Sequence, residues 1–176
     1  MARALRDAGC TEAWIGAESG SQKVLDAMNK GTTVAEILSA RERLKAVGIR
    51  VGFFIQLGYL DEQLEDILAT RDLLTAAQPD EIGVSVSYPL PGTKFYELVK
   101  SQLQGKTHWH ESNDLDMMFH GTYTSDFYRA IRDLLHEQIS TQISGAAGGS
   151  LDQRWQNLLA KESKYRSSRY RSAATA

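Results

Sequence analysis

Three short apolar segments, each running into a polar or glycine-rich turn, constrain the fold of this chain more than any other feature. They predict strands over residues 12–17, 49–57 and 81–87. Sequence with helical periodicity separates the first strand from the second and the second from the third, which is typical of parallel strands joined by right-handed crossovers. The pattern therefore predicts an α/β fold in which ligands bind at the carboxyl ends of the strands.

Local signals place the helices between these strands. Thr33 and Glu36 have the spacing of a capping box, in which each side chain satisfies a free backbone N–H of the other residue. Asp61 is predicted to be the N-cap of the helix after the second strand, and Pro79 to end that helix. Further helices are predicted over about 95–102, 125–143 and 151–161.

Residues 106–124 have no clear period, and we expect an irregular segment in which residues 117–119 (MMF) form a buried plug. His108, His110 and His120, with Asp114 and Asp116, are residue types that bind metals. Their spacing matches no strict ligand pattern, so no metal site is predicted. The pattern divides the chain into residues 1–102, 103–144 and 145–176.

Composition limits the functional classes. The formal net charge is -2, which gives no indication of nucleic acid binding, although residues 161–176 hold five basic residues against Glu162 and are predicted to be a solvated tail. Cys10 is the single cysteine, so no intrachain disulfide forms and a cytoplasmic location is expected. No apolar run is long enough to span a membrane, and no signal-type core follows the N-terminus.

The candidate site residues lie where the first two strands end. Glu18 follows the first strand among small residues, and two interpretations stay open: it binds ligand hydroxyls, or it caps a helix. Gln56, at the end of an apolar strand, needs a hydrogen-bond partner in a ligand or in the protein. Glu62 is predicted to cap the next helix, and Ser85 has no histidine near it that would favour a hydrolase.

These segments resemble radical S-adenosylmethionine enzymes, most closely the subgroup with an N-terminal cobalamin-binding domain. Residues 16–31 (GAESGSQKVLDAMNKG) are similar to the family's fourth-strand segment, and residues 58–62 (GYLDE) to its fifth-strand turn, usually Gly-x-Pro-Gly-Glu. Residues 83–93 (GVSVSYPLPGT) resemble the sixth strand and its exit. Residues 109–128 resemble the C-terminal region of relatives of the anaerobic Mg-protoporphyrin IX monomethyl ester cyclase.

The resemblance implies the C-terminal half of a partial (β/α)6 TIM-like barrel with a helical extension. It also implies S-adenosylmethionine, a [4Fe-4S] cluster and a small-molecule substrate, with cobalamin possible in the intact parent. Glu18 and Ser19 would contact S-adenosylmethionine, and Gln56 and Gly58 would lie beside its adenosine portion.

The chain departs from the family in lacking the Cys-x3-Cys-x2-Cys loop. Residues 1–9 resemble the end of a helix, which favours a C-terminal fragment that is inactive alone. A stand-alone binding module, pairing with a chain that supplies the N-terminal half, is the alternative. An unrelated aldolase-like barrel fragment is a third interpretation, which lacks the lysine or phosphate-loop pattern expected there.

Overall fold

A three-stranded sheet forms the centre of the protein. The computed structural model describes residues 1–103, 114–145 and 149–167. The strands are adjacent in chain order, and both pairs are parallel: β1 (Glu12–Glu18), β2 (Arg50–Leu57) and β3 (Glu81–Val86). The predicted α/β fold with parallel strands is confirmed.

Helices connect and flank these strands. In chain order they are α1 (Ala2–Asp7), α2 (Gln22–Ala27), α3 (Val34–Lys45), α4 (Leu64–Ala77), α5 (Lys94–Val99), α6 (Ser125–Ser144), α7 (Gly149–Leu159) and α8 (Glu162–Tyr165). Within the described residues, no helix combines the length and apolar character that crossing a membrane requires.

The predicted capping box at the start of α3 is confirmed. The Thr33 N–H donates to the Glu36 carboxylate at 2.8 Å, and the Glu36 N–H donates to the Thr33 hydroxyl at 3.2 Å. Two N–H groups that the first helical turn leaves unpaired are thus satisfied by local side chains. Such a contact depends only on nearby residues, which is why the sequence pattern predicts it.

The predicted N-cap at Asp61 is wrong. The helix α4 begins at Leu64, and the Asp66 carboxylate accepts a hydrogen bond from the Gln63 N–H at 2.8 Å. Asp61 adopts a left-handed conformation with φ of 59° in the preceding turn. It lies too far ahead of the helix to satisfy its first N–H groups.

One face of the sheet is covered by helices and carries the core. Phe53, Ile55 and Leu57 point from β2 into this layer and are almost fully buried. The helix α3 contacts β2, and α6 contacts β3. Most of the apolar area removed from water lies here, so this face supplies most of the hydrophobic stabilisation.

The opposite face of the sheet is open in the described part of the chain. Phe54 is 51% exposed and packs against Trp14, with ring centroids 4.8 Å apart. A Cβ at Gly52 would come within 2.5 Å of the Trp14 ring, so the indole lies flat on that glycine. Residues 49–57 are almost unbroken apolar, which predicts a strand buried on both faces, and at Phe54 on this second face the prediction is wrong.

The C-terminal helices join the same core as the sheet. Leu134 and Leu135 of α6 and Trp155 and Leu158 of α7 are buried in it. Near α5, a smaller apolar cluster forms, whose buried members are Val99, Leu103, Met118 and Phe119. The predicted plug at Met118 and Phe119 is thus confirmed, while the division at residues 102 and 144 stays a prediction.

Residues 165–167 form a clasp against the loop before α6, and the prediction of a solvated tail is wrong for them. Tyr123 and Arg166 form an antiparallel bridge. The Ser167 N–H donates to the Thr122 carbonyl at 2.9 Å, and its hydroxyl donates to the Gly121 carbonyl at 2.6 Å. Residues 165–167, which we call the C-terminal clasp, are therefore held by hydrogen bonds to the loop before α6.

Candidate functional site

The carboxyl ends of the three parallel strands meet at one edge of the sheet, and the predicted site residues lie there. An irregularity in the pairing shapes the edge at β1: Gly16 pairs with Phe54, whereas Glu18 pairs with Ile55. The extra residue is a bulge, which increases the local twist and redirects the side chains beyond it. Bulges often occur beside binding sites for this reason.

Glu18 occupies a strained position at the end of β1. Its φ is 59°, a left-handed conformation that costs a residue with a Cβ about 1 kcal/mol or more. Its carboxylate lies over Gly16, whose added Cβ would come within 2.7 Å of the Glu18 Oε1 atom. Lys30 donates to that oxygen at 2.8 Å. The glycine thus makes room for a carboxylate on the open face of the sheet.

Glu18 does not cap a helix in this structure. The N-cap of α2 is Ser21, whose hydroxyl accepts from the Val24 N–H at 3.4 Å. The helix-capping interpretation of Glu18 is therefore wrong, because three residues separate it from the first helical residue. The ligand-binding interpretation stays a prediction, and Lys30 is the partner that it has among the described residues.

Ser19 is fully buried and bonded within the protein. Its hydroxyl lies 3.2 Å from that of Thr70 and accepts from the Ser21 N–H at 3.1 Å. The Gly20 N–H also donates to the Thr70 hydroxyl, at 2.9 Å. These bonds attach the turn after β1 to α4, so Ser19 supports the backbone that carries Glu18.

Gln56 lies on the open face of β2 beside a groove of about 400 Å³. Lys30, Tyr59, Tyr88 and Phe95 also line this groove. The rings of Tyr59 and Phe95 stack with centroids 4.8 Å apart. The groove therefore combines an amide, an ammonium group and aromatic surface next to Glu18.

Lys30 and the Tyr59–Phe95 stack are features that the sequence reasoning missed. Lys30 precedes Gly31, which ends the helical pattern after the first strand, and a helix end alone does not indicate a site residue. A lysine in the loop after α2, the first helix beyond Glu18, is the available signal. The stack joins residues from two separate connections and leaves no local signal.

Gly58 directly follows β2, at a position where only a residue without a Cβ fits. Its φ is 76°, and an added Cβ would come within 2.9 Å of the Met117 sulfur. The Gly58 N–H donates to the Glu62 carboxylate at 2.7 Å. A side chain at Gly58 would both strain the backbone and displace the plug residue.

Glu62 is fully buried, and the prediction that it caps a helix is wrong. Its carboxylate turns back toward Gly58, and its second oxygen has no hydrogen-bond partner among the described residues. Burial raises the pKa of Glu62 to about 8, with a smaller contribution from Asp66, while the Gly58 N–H opposes the rise. The carboxyl group is therefore largely protonated at neutral pH.

The nearby Asp66 behaves in the opposite way. Burial alone would raise the pKa of Asp66, but the Lys23 ammonium at 2.5 Å, the Gln63 N–H and the Ser21 hydroxyl together hold it below its usual value. Asp66 is thus a charged group that links α2 to α4. The pKa values of Glu62 and Asp66 shift in opposite directions, because only Asp66 is hydrogen-bonded to a cation and to several donors.

The described residues do not fit an iron–sulfur cluster. Such clusters are held by several cysteine thiolates, and Cys10 is the single cysteine of the chain. It lies at the other end of β1, a strand about 20 Å long, and its thiol is hydrogen-bonded to the Glu12 carbonyl at 3.3 Å. Among the described residues, no three His, Cys, Asp or Glu side chains lie close enough to share a metal ion. His108 and His110 lie outside these residues.

The segments that form this edge of the sheet are similar to known proteins. Residues 1–74, which include β1, β2 and the turn at Gly58, match the model of the radical SAM superfamily. A protein of Methanocaldococcus jannaschii, provisionally named a methylthiotransferase, is 35% identical over 115 residues, which are 64% of this chain and 24% of that protein. An uncharacterised methyltransferase of Pyrococcus horikoshii is 28% identical over 118 residues, 66% of this chain and 26% of that protein.

A third relative is the tRNA-2-methylthio-N(6)-dimethylallyladenosine synthase of Thermotoga petrophila. It is 30% identical over 88 residues, which are 49% of this chain and 20% of that protein. The chain spans about a quarter of the length of the first two relatives and less of the third. The family match over residues 1–74 and these relatives support membership of the radical SAM superfamily.

Proposed function

We propose that this chain forms the C-terminal half of a partial (β/α)6 barrel in a radical S-adenosylmethionine enzyme. Residues 1–102 would be the half barrel, 103–144 the family-type extension, and 145–176 a linker, a short helix and the basic tail. The reaction of the whole protein would be radical-mediated transfer of a methyl or methylthio group, the chemistry in the names of the relatives. Cyclisation is the related chemistry that the resemblance also allows.

The observation that carries this proposal is the position of Glu18 in residues that match the family model. Its carboxylate lies on the open face of the sheet, at the strand edge where parallel α/β folds bind ligands. Carboxylates in this position commonly accept hydrogen bonds from ribose hydroxyls. Glu18 would bind the ribose of S-adenosylmethionine, and Lys30 would hold the carboxylate in place.

The other predicted contacts fit this arrangement with different roles. Gln56 would bind the adenosine portion from the neighbouring strand, where it faces the groove. Gly58 would border the same portion, and its missing side chain leaves room for Met117 against the turn. Ser19 would act mainly by fixing the turn, since Thr70 and Ser21 already occupy its hydroxyl.

The family's [4Fe-4S] cluster would be held by cysteines outside this chain, in a longer polypeptide or in a partner. The single Cys10 cannot supply its ligands. The chain alone would therefore not cleave S-adenosylmethionine. Cobalamin, which the resembled subgroup uses, would also belong to other parts of the whole protein.

Binding of S-adenosylmethionine tests the proposed site. Calorimetric titration of the 176-residue chain should show weak binding, and Glu18→Ala should weaken it by about tenfold or more, as expected for hydrogen bonds to a charged group. Glu42→Ala, an exposed carboxylate on α3, is the matched control and should bind like wild type. Equal affinity for Glu18→Ala, or no binding by wild type at millimolar ligand, contradicts the site.

Iron reconstitution tests the proposal that cysteines outside this chain hold the cluster. Under anaerobic conditions with iron and sulfide, the purified chain should bind no stoichiometric iron, and Cys10→Ser should behave identically. A stable cluster with an absorption change on addition of S-adenosylmethionine would contradict the proposal.

A non-catalytic complementing module is a second candidate, which the open face of the sheet favours. Trp14 and Phe54 form an aromatic pair on that face, and Phe54 is half exposed. Mixing the chain with one that carries the family's cysteine loop distinguishes the candidates. Cleavage of S-adenosylmethionine by the mixture supports the half of an enzyme, whereas a stable but inactive complex supports the module.

A further inference from the structure

A second groove lies on the helical layer, away from the strand edge that carries Glu18. It has a volume of about 520 Å³ and lies between α4, α6 and α7. Arg71 and Thr75 contribute to it from the last turns of α4, the end farther from Gly58. Nothing in the proposed enzyme function uses this groove.

Trp155 gives the groove an unused hydrogen-bond donor. The residue is 4% exposed, lines the groove, and its indole N–H has no acceptor among the described residues. Buried indole N–H groups usually find a partner. A buried donor without one favours any occupant that offers an acceptor.

Gln142 gives the same groove an unused acceptor. Its amide oxygen is buried and has no donor among the described residues. The neighbouring Gln138 is satisfied, because its amide donates to the Thr75 hydroxyl at 2.9 Å and to the Arg71 carbonyl at 3.3 Å. The wall of the groove is thus fixed, while one donor and one acceptor are left without partners.

The charges around the groove disfavour an anion. The Arg71 guanidinium lies 5.5 Å from the centre of the Trp155 ring, and Asp72 neutralises it with hydrogen bonds of 3.0 and 2.8 Å. Asp152 adds a further negative charge to the lining. A neutral ligand therefore fits this surface better than a phosphate or a carboxylate.

We propose that the groove between α4, α6 and α7 binds an uncharged amide through Trp155 and Gln142. An amide offers one carbonyl acceptor for the indole N–H and one N–H donor for the glutamine oxygen, which is the pair that the groove lacks. The amide belongs either to a small free molecule or to an extended peptide, and the experiment distinguishes these sources.

Nuclear magnetic resonance of the indole N–H groups tests this site directly. The chain has three tryptophans, and Trp155→Phe assigns the Trp155 signal by its loss. The full chain is titrated with N-methylacetamide, which has one amide, and with N-acetyl-trialanine methylamide, which presents several. We expect a saturable shift of the Trp155 signal, while the Trp14 signal on the open sheet face stays in place.

Two matched variants test the acceptor. Gln142→Met removes the amide and keeps the length of the side chain, and it should weaken binding about three- to tenfold, as loss of one neutral hydrogen bond does. Gln153→Met, an exposed position on α7, should bind like wild type. Unchanged affinity of Gln142→Met would overturn its role in the site.

The two probes identify the source of the amide. Binding of the peptide at least tenfold tighter than N-methylacetamide supports a peptide ligand, and equal affinities support a small free amide. No saturable shift of the Trp155 signal with either probe overturns the proposal, because the indole N–H is then closed to an amide in the groove. Equal shifts of Trp14 and Trp155 overturn it as well, because the effect is then unspecific.

Discussion

The two faces of the sheet are built from the same strands but differ in packing. On the covered face, Phe53 contacts the helical layer and is fully buried. On the open face, its neighbour Phe54 is half exposed and packs mainly on Trp14. The covered face carries the stability of the chain, and the open face carries the side chains that we assign to binding.

The largest expected effect comes from truncating the two neighbouring phenylalanines. Phe53→Ala should lower the free energy of unfolding by about 3–5 kcal/mol, because it leaves a cavity in the core. Phe54→Ala should lower it by less than about 1 kcal/mol, because the ring is already half hydrated. Urea unfolding followed by circular dichroism measures both.

Equal losses of unfolding free energy in Phe53→Ala and Phe54→Ala would contradict the difference between the covered and the open face. They would mean that the open face is covered in solution, for example by self-association. Sedimentation of wild type and Phe54→Ala at several concentrations separates this explanation from an intrinsic role of the ring.

The second prediction concerns pH and the buried Glu62 in the turn between β2 and α4. Its pKa is about 8 when folded, above the ordinary value of 4.5. The folded state therefore holds a proton that the unfolded state releases above pH 4.5. Its stabilising contribution is complete below that pH and decreases up to about pH 8.

Glu62→Gln should remove this dependence. Between pH 5 and pH 8, wild type should lose on the order of 3 kcal/mol of unfolding free energy relative to Glu62→Gln. Burial also lowers the pKa of His136, so His136 contributes to the pH dependence of both proteins. Subtracting the profile of Glu62→Gln from that of wild type leaves the contribution of Glu62. Parallel pH profiles of wild type and Glu62→Gln would show that the carboxyl group is ionised when folded.

The smallest expected effects come from substituting two glycines, Gly20 in the turn after β1 and Gly52 on the open face. Gly20→Ala should cost about 1–3 kcal/mol, because its Cβ would meet the Ala69 backbone at 2.2 Å and neither helix nor turn can yield freely. Gly52→Ala should cost less than about 1 kcal/mol, because Trp14 can move outward from the open face. Thermal unfolding of both variants ranks them, and a greater loss for Gly52→Ala would contradict an open face.

Local patterns in the sequence predict much of this fold. The Thr33–Glu36 capping box and the parallel strands follow from residues close in sequence or from periodicity, and both are confirmed. The burial of Glu62 is not predictable from its neighbours in sequence, because it bonds to the turn at Gly58, which Met117 and Tyr128 from far along the chain contact closely. The exposure of Phe54 could not be predicted for the same reason, since nothing in β2 itself says what covers its second face.

In the candidate site, too, some features follow from the local sequence and others depend on residues farther along the chain. The position of Glu18 at a strand end follows from the sequence, whereas its left-handed conformation and its ion pair with Lys30 depend on the bulge and on the loop after α2. The contact of Ser19 with S-adenosylmethionine is implied by the resemblance alone and stays a prediction. The hydrogen bond of Ser19 to Thr70 crosses to another helix and leaves no local signal.

The C-terminal clasp has a practical consequence for protein engineering. Ser167 bonds to Gly121, and an added Cβ at Gly121 would lie 3.9 Å from the Gly58 carbonyl, so the clasp borders the turn at the end of β2. Arg166 also reaches Gln63 at 3.3 Å, just before α4. Trimming the protein at Tyr165 to aid crystallisation would remove both contacts. A shortened version is therefore a poor substitute for the full chain in any assay of ligand affinity.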